Sequence, residues 1–186
     1  MSYVTILCTE ESKNAITLEH CSPIWHPNGS TMLAKFENFQ KKCIKWILSE
    51  EKLSYTSSDV YARKCQQVNL LPLSLRFILN DLILFHKAVH NYIPLDIPNY
   101  LSFFDGQSRL RSCHLDHLSF VSSLIPKGSS TTKNLEKSFF YRTHMIWNEL
   151  PLELRNVESM SEFRSKVENN LWSTKLYTNE DAGEVT

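Results

Sequence analysis

Ser138 to Asn156, SFFYRTHMIWNELPLELRN, is the stretch that decides the fold. On a helix turning about 100° per residue, its bulky side chains fall in one sector. That inward sector holds Phe139, Phe140, Thr143, Ile146, Trp147 and Leu150. We expect the remaining side chains to point away from the core: Tyr141, His144, Met145, Asn148 and Glu149. Pro151 ends the helix, because it disfavours the α conformation at the residue before it. The pattern predicts a helix docked in a helical domain.

The charges of this 186-residue chain balance overall but not locally, with 20 basic and 20 acidic residues in total. Residues 33–76 carry eight basic and four acidic residues, and residues 106–144 carry six and two. Residues 145–186 reverse the balance, with four basic and eight acidic residues. Local basic segments of this kind fit nucleic-acid contact and also fit ordinary solvated helix faces.

The five cysteines and the hydropathy pattern point to an intracellular protein, in nucleus or cytoplasm alike. The cysteine number is odd, no pair has CxxC spacing, and no signal-peptide core is visible. The longest apolar run, residues 77–89, is interrupted by four polar side chains and falls short of the ~20 residues that span a bilayer. We therefore expect no membrane partner.

Thr31 to Leu48 is the clearest amphipathic helix. Its expected apolar half holds Leu33, Phe36, Phe39, Cys43, Ile44, Trp46 and Ile47. The opposite sector holds Lys35, Lys41, Lys42 and Lys45 over about 120°. Such a lysine stripe fits a solvated face or a surface that follows a phosphate backbone.

The remaining segments complete a mainly α prediction: an irregular helical bundle of four to six helices with a long polar loop and no palm sheet. The expected regions are a non-matching N-terminal segment (1–20), a helical region (21–105), a flexible polar loop (106–135), a C-terminal helical tail (136–175) and a disordered acidic end (176–186). Within the helical region, residues 21–30 are expected to form a loop and residues 73–91 a buried central helix. A capping box, Ser159 with Glu162, should begin the last helix. The expected core anchors are Trp25, Phe139, Phe140, Trp147, Leu150 and Phe163.

Catalytic signatures are missing from the sequence. The aspartates are scattered without a paired motif, and neither GxxxxGK[ST] nor GxSxG occurs. His86 and His90 have the i, i+4 spacing of a zinc protease, but lysine stands where HExxH needs glutamate. Cys113, His114 and His117 form a weak metal candidate with no fourth ligand nearby. We expect no enzymatic activity, no cofactor, no bound metal and no small-molecule substrate.

Three segments together resemble one family. Leu18 to Pro27 with the helix through KKCIKWIL resembles the region just after the catalytic palm of non-LTR (LINE-type, Jockey/RTE-like) retrotransposon reverse transcriptases, where a tyrosine often replaces His20. NLLPL with Arg76 and Asp81 resembles the next helical segment, and SFFYR through WNELP, then Arg155 and Phe163, resembles the tail of those polyproteins. The resemblance covers about residues 18–172, and WNELP is its most specific motif.

The resemblance implies a thumb and post-thumb region without its polymerase palm or endonuclease. In such enzymes the thumb and tail grip template RNA, primer or target DNA, so the implied partners are RNA or DNA and the rest of a reverse transcriptase. The implied contact residues are Lys41, Lys42, Lys45 and Arg142, with Arg109 and Arg111 in a loosely matching loop. The expectation is a non-catalytic remnant with weak, sequence-independent nucleic-acid binding. The alternatives are a helical protein-interaction module and a decayed element fragment with no selected function.

Overall fold

A computed structural model describes residues 19, 21–27, 30–49, 58–104, 119–122 and 137–173. These residues form seven helices, two of which are single turns, and one small sheet. The helices are α1 (Ser22–Trp25), α2 (Ser30–Ile47), α3 (Ser58–Gln67), α4 (Leu73–Val89), α5 (Phe139–Glu149), α6 (Leu152–Arg155) and α7 (Met160–Ser173). The strands are β1 (Leu101–Phe103) and β2 (Phe120–Ser122). The prediction of a mainly α fold is confirmed, and the sheet in the described residues has only two strands.

The central element is α4, as its apolar character around most of the helix predicted. Pro72 stands just before its first residue, where the missing N–H costs nothing because the first turn has no partner for it. Nine of its side chains are buried: Leu73, Leu75, Phe77, Leu79, Asp81, Leu82, Phe85, His86 and Ala88. A helix buried on so many sides must be covered by several others, and α1, α2, α5 and α7 all pack on it.

The two C-terminal helices close the main core. Trp147 of α5 and Phe163 of α7 are both fully buried, and their rings lie 5.9 Å apart. Phe85 of α4 lies 5.3 Å from the Trp147 ring. The regions 21–105 and 136–175, which the sequence analysis separated, therefore share one hydrophobic core.

A smaller core joins α2 to α3. Ile44 and Cys65 are fully inaccessible, and Tyr61 is nearly so. Gln40 of α2 donates a 3.0 Å hydrogen bond to the backbone oxygen of Leu71, which fixes α2 against the entry to α4.

The segment expected to be a loop around Trp25 contains the single-turn helix α1, with Pro23 in its first turn. The Trp25 ring packs edge-on against Phe36 at 5.8 Å and Phe77 at 5.4 Å. Trp25 thus connects α1 to both α2 and α4, in the anchoring position that the sequence suggested.

Strand β2 was missed, because residues 119–122 fall inside the stretch expected to be a polar loop. It pairs antiparallel with β1, with Ser102 opposite Val121. The amide of Asn148 supplies the rest of its support: the backbone N–H of Phe120 donates to Asn148 Oδ1 at 2.9 Å, and Asn148 Nδ2 donates to the Phe120 oxygen at 2.8 Å. One side chain of α5 thus replaces a neighbouring strand.

Two details at the C-terminal helices differ from expectation. His144, expected to point away from the core, is only 2% exposed, and Asn148 contacts β2 as described. The predicted capping box is also not formed by the side chains: Ser159 Oγ lies 3.1 Å from Ser161 Oγ, and Glu162 pairs with Lys166 at 2.8 Å. The helix still begins with the N–H of Phe163 bonded to the Ser159 oxygen at 2.8 Å.

None of the helices in the part of the chain that the structure describes combines the length and apolarity that a membrane crossing requires.

Replacing Trp147 with alanine should lower the free energy of unfolding by about 3–5 kcal/mol, because it empties a fully buried indole site. Met145, two residues earlier and 53% exposed, provides the matched control: Met145→Ala should change stability by no more than about 0.5 kcal/mol. Urea unfolding monitored by circular dichroism measures both. Equal effects of the two substitutions would show that α5 is not docked through its tryptophan.

Candidate nucleic-acid interface

The outer face of α2 carries two lysines and an exposed tryptophan. Lys35 and Lys42 are exposed, and Trp46 has 63% of its surface open to solvent. At about 100° per residue, Lys35 lies about 20° from each of the other two on the helix. Along the axis, Lys42 lies about 10 Å beyond Lys35 and Trp46 about 6 Å beyond Lys42. The three side chains thus form one ridge, which we call the α2 ridge.

The α2 ridge is not neutralised by its own helix. Glu37, the one acidic residue in the α2 sequence, points to the opposite side. Its carboxylate accepts hydrogen bonds from the Tyr61 hydroxyl and, at 2.8 Å, from the backbone N–H of Ser74. These contacts hold the negative charge on the inner side between α3 and α4, so α2 separates charge across its width. The outer side presents ammonium groups to solvent, the form that attracts phosphate.

The two other lysines of the predicted contact set lie at the flank of the ridge. Lys41 is half-buried, and its ammonium nitrogen lies 5.1 Å from the centre of the Tyr61 ring, in cation–π contact. Lys45 is also half-buried. Lys41 therefore helps to join α2 to α3, while Lys42 is the member of the predicted set that stands fully on the outer face.

Arg142 has a set of partners inside the protein. Its guanidinium donates to both carboxylate oxygens of Asp81, from Nε at 2.9 Å and from Nη2 at 3.1 Å. It also donates to the backbone oxygens of Lys137, at 2.9 Å, and Pro23. The sequence expectation placed Arg142 with the α2 lysines on one interface. The structure places it at the junction of α1, α4 and α5, so we do not carry it into the α2 ridge.

Asp81 is the reason for this arrangement. Its side chain has no solvent exposure, and an unpaired carboxylate at such a site would be very costly. The fork of Arg142 matches the two carboxylate oxygens, which is the strongest geometry for such a pair. The Nδ1 atom of His26 lies 3.1 Å from Asp81 Oδ2 and adds a contact from the segment after α1. The carboxylate thus ties three parts of the chain together.

Trp46 is the residue of the ridge that the sequence interpretation assigned wrongly. It was placed in the apolar half of α2, but the structure exposes most of its ring. The signal was present in the spacing: Trp46 is four residues after Lys42 and eleven after Lys35, so it lies within about 40° of both on the helix. The sequence interpretation gave more weight to the hydrophobicity of the Trp46 indole than to its angle on the helix.

The other predicted site residues give no second site within the described residues. Arg109, Arg111, Cys113, His114 and His117 lie outside the described residues. Within the described ones, no group of three or more histidine, cysteine or carboxylate side chains is placed to hold a metal ion. Burial raises the pKa of the Cys65 thiol to about 12, which leaves it protonated and unreactive at neutral pH.

The two buried histidines act as parts of the core. His86 stacks on Phe163, with ring centres 4.0 Å apart, and its Nε2 lies 2.6 Å from the Val157 oxygen. Burial lowers the pKa of His86; the hydrogen bond to the Val157 oxygen partly opposes this shift, and the nearby His90 adds to it. Burial also lowers the pKa of His144. Both imidazoles are therefore neutral at pH 7, and the close ring contact of His86 and His90 is a packing contact rather than a ligand pair.

No family model, curated protein or solved structure matches this chain.

Removing one partner of the Asp81–Arg142 pair should be strongly destabilising. Arg142→Met removes both hydrogen bonds that the guanidinium donates to the buried carboxylate of Asp81, and the free energy of unfolding should fall by about 3–5 kcal/mol. The double variant Asp81→Asn/Arg142→Met removes the orphaned charge and should lose less than the sum of the single variants. Lys166→Met, which breaks the exposed pair with Glu162, is the control and should cost less than about 1 kcal/mol. Additive losses in urea unfolding would contradict a direct pairing.

Stability should fall on mild acidification because of His86 and His144. Their folded-state pKa values are lowered, so the unfolded chain binds more protons at acid pH. This contribution to stability is complete above the ordinary histidine pKa of about 6.5 and is lost as the pH falls from there toward the lowered values. Unfolding curves across that pH range measure it. His86→Gln/His144→Gln should be less stable at neutral pH with a flatter pH dependence; an unchanged slope would exclude these histidines as its origin.

Proposed function

We propose that this chain is a non-catalytic piece of a LINE-type reverse transcriptase that binds nucleic acid weakly and without sequence preference through the α2 ridge. The observation that carries the binding proposal is the placement of Lys35 and Lys42 on one solvent face of α2, with the carboxylate of Glu37 held on the other. The ancestry rests on the resemblance of three sequence segments described above.

Lysine is suited to this kind of contact. Its ammonium group is a compact charge on a flexible stem, which reaches phosphates without demanding a fixed geometry. Lysine–phosphate contacts carry no base information, so the binding they support is independent of sequence and sensitive to salt. Two or three such contacts on a single helix give an affinity in the weak range of non-specific binding.

A helical interaction module that pairs with a second copy of itself is the second candidate. An apolar cleft of about 500 Å³ lies between α1, α4, the segment 93–95 and α5. Ile24 stands at its edge with 82% of its surface exposed. In a two-fold pair, the isoleucine of each copy would enter the cleft of the other, which is the self-complementary form that such dimers need. Light scattering of wild type and Ile24→Ser distinguishes the cases: a wild-type dimer that the substitution dissociates supports the module, and a monomer contradicts it.

The binding proposal predicts a salt-sensitive affinity that depends on Lys35 and Lys42. Fluorescence titration with labelled single-stranded RNA and duplex DNA at about 50 mM and 200 mM salt measures the slope of affinity against salt. Lys35→Gln/Lys42→Gln should reduce that slope by about 1.4 on single strands, because each phosphate contact contributes about 0.7. The control Lys137→Gln/Lys166→Gln removes two exposed lysines elsewhere and should leave the slope nearly unchanged.

Folding of each variant is verified by circular dichroism before titration. A folded wild type that binds neither nucleic acid at low salt would refute the binding proposal. Equal losses in the two lysine pairs would assign the binding to general charge and not to the α2 ridge. Ancestry is tested separately by the genomic sequence upstream of Met1: a frame encoding a palm with paired aspartates supports it, and an unrelated upstream sequence counts against it.

A further inference from the structure

The α2 ridge carries an exposed indole ring. Trp46 is 63% exposed, whereas Trp147 is completely buried and Trp25 packs between Phe36 and Phe77. The fourth tryptophan, Trp172, is half-buried and packs against both cores, so apolar neighbours are available to all three of the others. An indole held in solvent beside Lys42 is thus unusual within this molecule, and its place on a cationic face suggests the ligand.

An indole offers a flat π surface that unpaired bases can cover. In single strands the bases are free to stack on an aromatic side chain, and this stacking tolerates every base because each has a π face. In a duplex the bases are stacked on one another and enclosed by the backbone, so a side chain on a convex helix reaches phosphates but not base faces. Lysine–phosphate contact is therefore open to both kinds of ligand, whereas stacking on an exposed indole is open only to unpaired bases.

The spacing of the side chains along the ridge fits simultaneous contact with a phosphate and with a neighbouring base. Lys42 lies about 6 Å along the axis from Trp46, and Lys35 lies about 10 Å further back. An extended strand advances by a comparable distance per nucleotide, so a phosphate at Lys42 places a neighbouring base at the indole. The convex outer surface of one helix also lets a flexible single strand follow it.

We propose that the α2 ridge binds single-stranded nucleic acid, RNA or DNA, in preference to duplex, with Trp46 as a base-stacking platform next to Lys42. The inference rests on the proposed binding function and adds the strandedness of the ligand. Because stacking and phosphate contact use different side chains, they can be removed separately.

The experiment compares oligouridine, oligothymidine and a duplex of equal length, titrated against wild type, Trp46→Leu and Trp46→Phe. Trp46→Leu keeps an apolar side chain but removes the π face, and should weaken single-strand binding about 5- to 100-fold. Trp46→Phe keeps a smaller ring and should retain most of the affinity. Duplex affinity should stay within about twofold for both, because the lysine contacts remain. Met145→Ala, at an apolar side chain of α5 that is 53% exposed, is the control and should bind like wild type.

Indole emission gives an independent measure. Stacking on a base should quench part of the wild-type tryptophan emission on addition of oligouridine, and that part should be missing in Trp46→Phe. The two DNA and RNA single strands distinguish the sugar: equal affinities show that only strandedness is recognised, and unequal affinities, each still lowered in Trp46→Leu, add a sugar preference to the same platform.

Failure of this inference is distinguishable from failure of the proposed function. If Lys35→Gln/Lys42→Gln weakens binding but Trp46→Leu does not, the ridge binds phosphate and the stacking role is wrong. If Trp46→Leu lowers single-strand and duplex affinity equally, the preference is wrong. If the folded wild type binds none of the probes, both proposals are refuted.

Discussion

A carboxylate without access to water, Asp81, is the constraint on which the arrangement of this chain depends. It lies in the middle of the most buried helix, and its charge is tolerated because Arg142 donates two hydrogen bonds to it. The same guanidinium reaches the backbone oxygen of Pro23, so α1, α4 and α5 are fixed relative to each other at one point. Apolar packing alone would allow these helices to slide, whereas a two-pronged ion pair is satisfied in only one alignment. The pair therefore favours one arrangement of the core more than it adds stability to it.

The polar contacts that attach α2 lie on its inner side and leave its outer face exposed. Its inner side is attached by polar groups as much as by apolar ones: Gln40 bonds to the Leu71 oxygen, and Glu37 accepts from the N–H of Ser74. These bonds also satisfy backbone groups near the start of α4, where a helix N-terminus lacks internal partners. Since the only carboxylate of α2 is used there, Lys35 and Lys42 on the opposite side have no acidic partner on their own helix. The inward position of the Glu37 carboxylate thus both supports the packing of α2 and leaves its outer surface positive.

Periodicity was sufficient to place the long helices. The predicted helix of residues 31–48 is observed as Ser30–Ile47, and the central helix after Pro72 is observed as Leu73–Val89. Features that depend on a distant partner were missed. Strand β2 exists because the amide of Asn148 completes its hydrogen bonds, and no local pattern in residues 119–122 announces a partner 28 residues away. His144 is only 2% exposed, which the pattern of α5 alone does not reveal.

Two basic residues with similar sequence settings, Lys42 and Arg142, have opposite environments in the fold. Lys42 and Arg142 were assigned to one interface because both are basic and both lie in matching segments, yet one is exposed and the other is paired in the interior. A charged residue whose side chain is buried in a helical core, as that of Asp81 is, requires an opposite charge from another element. Arg142 follows Phe139 by three residues and precedes Ile146 by four, so it borders the inward sector of α5 and can reach such a partner. Lys42 has the same spacing, three residues after Phe39 and four before Trp46, but it lies on the exposed face of α2, where Trp46 is 63% exposed. The availability of a basic side chain for nucleic acid is therefore decided less by its own charge than by the buried carboxylates of the helices around it.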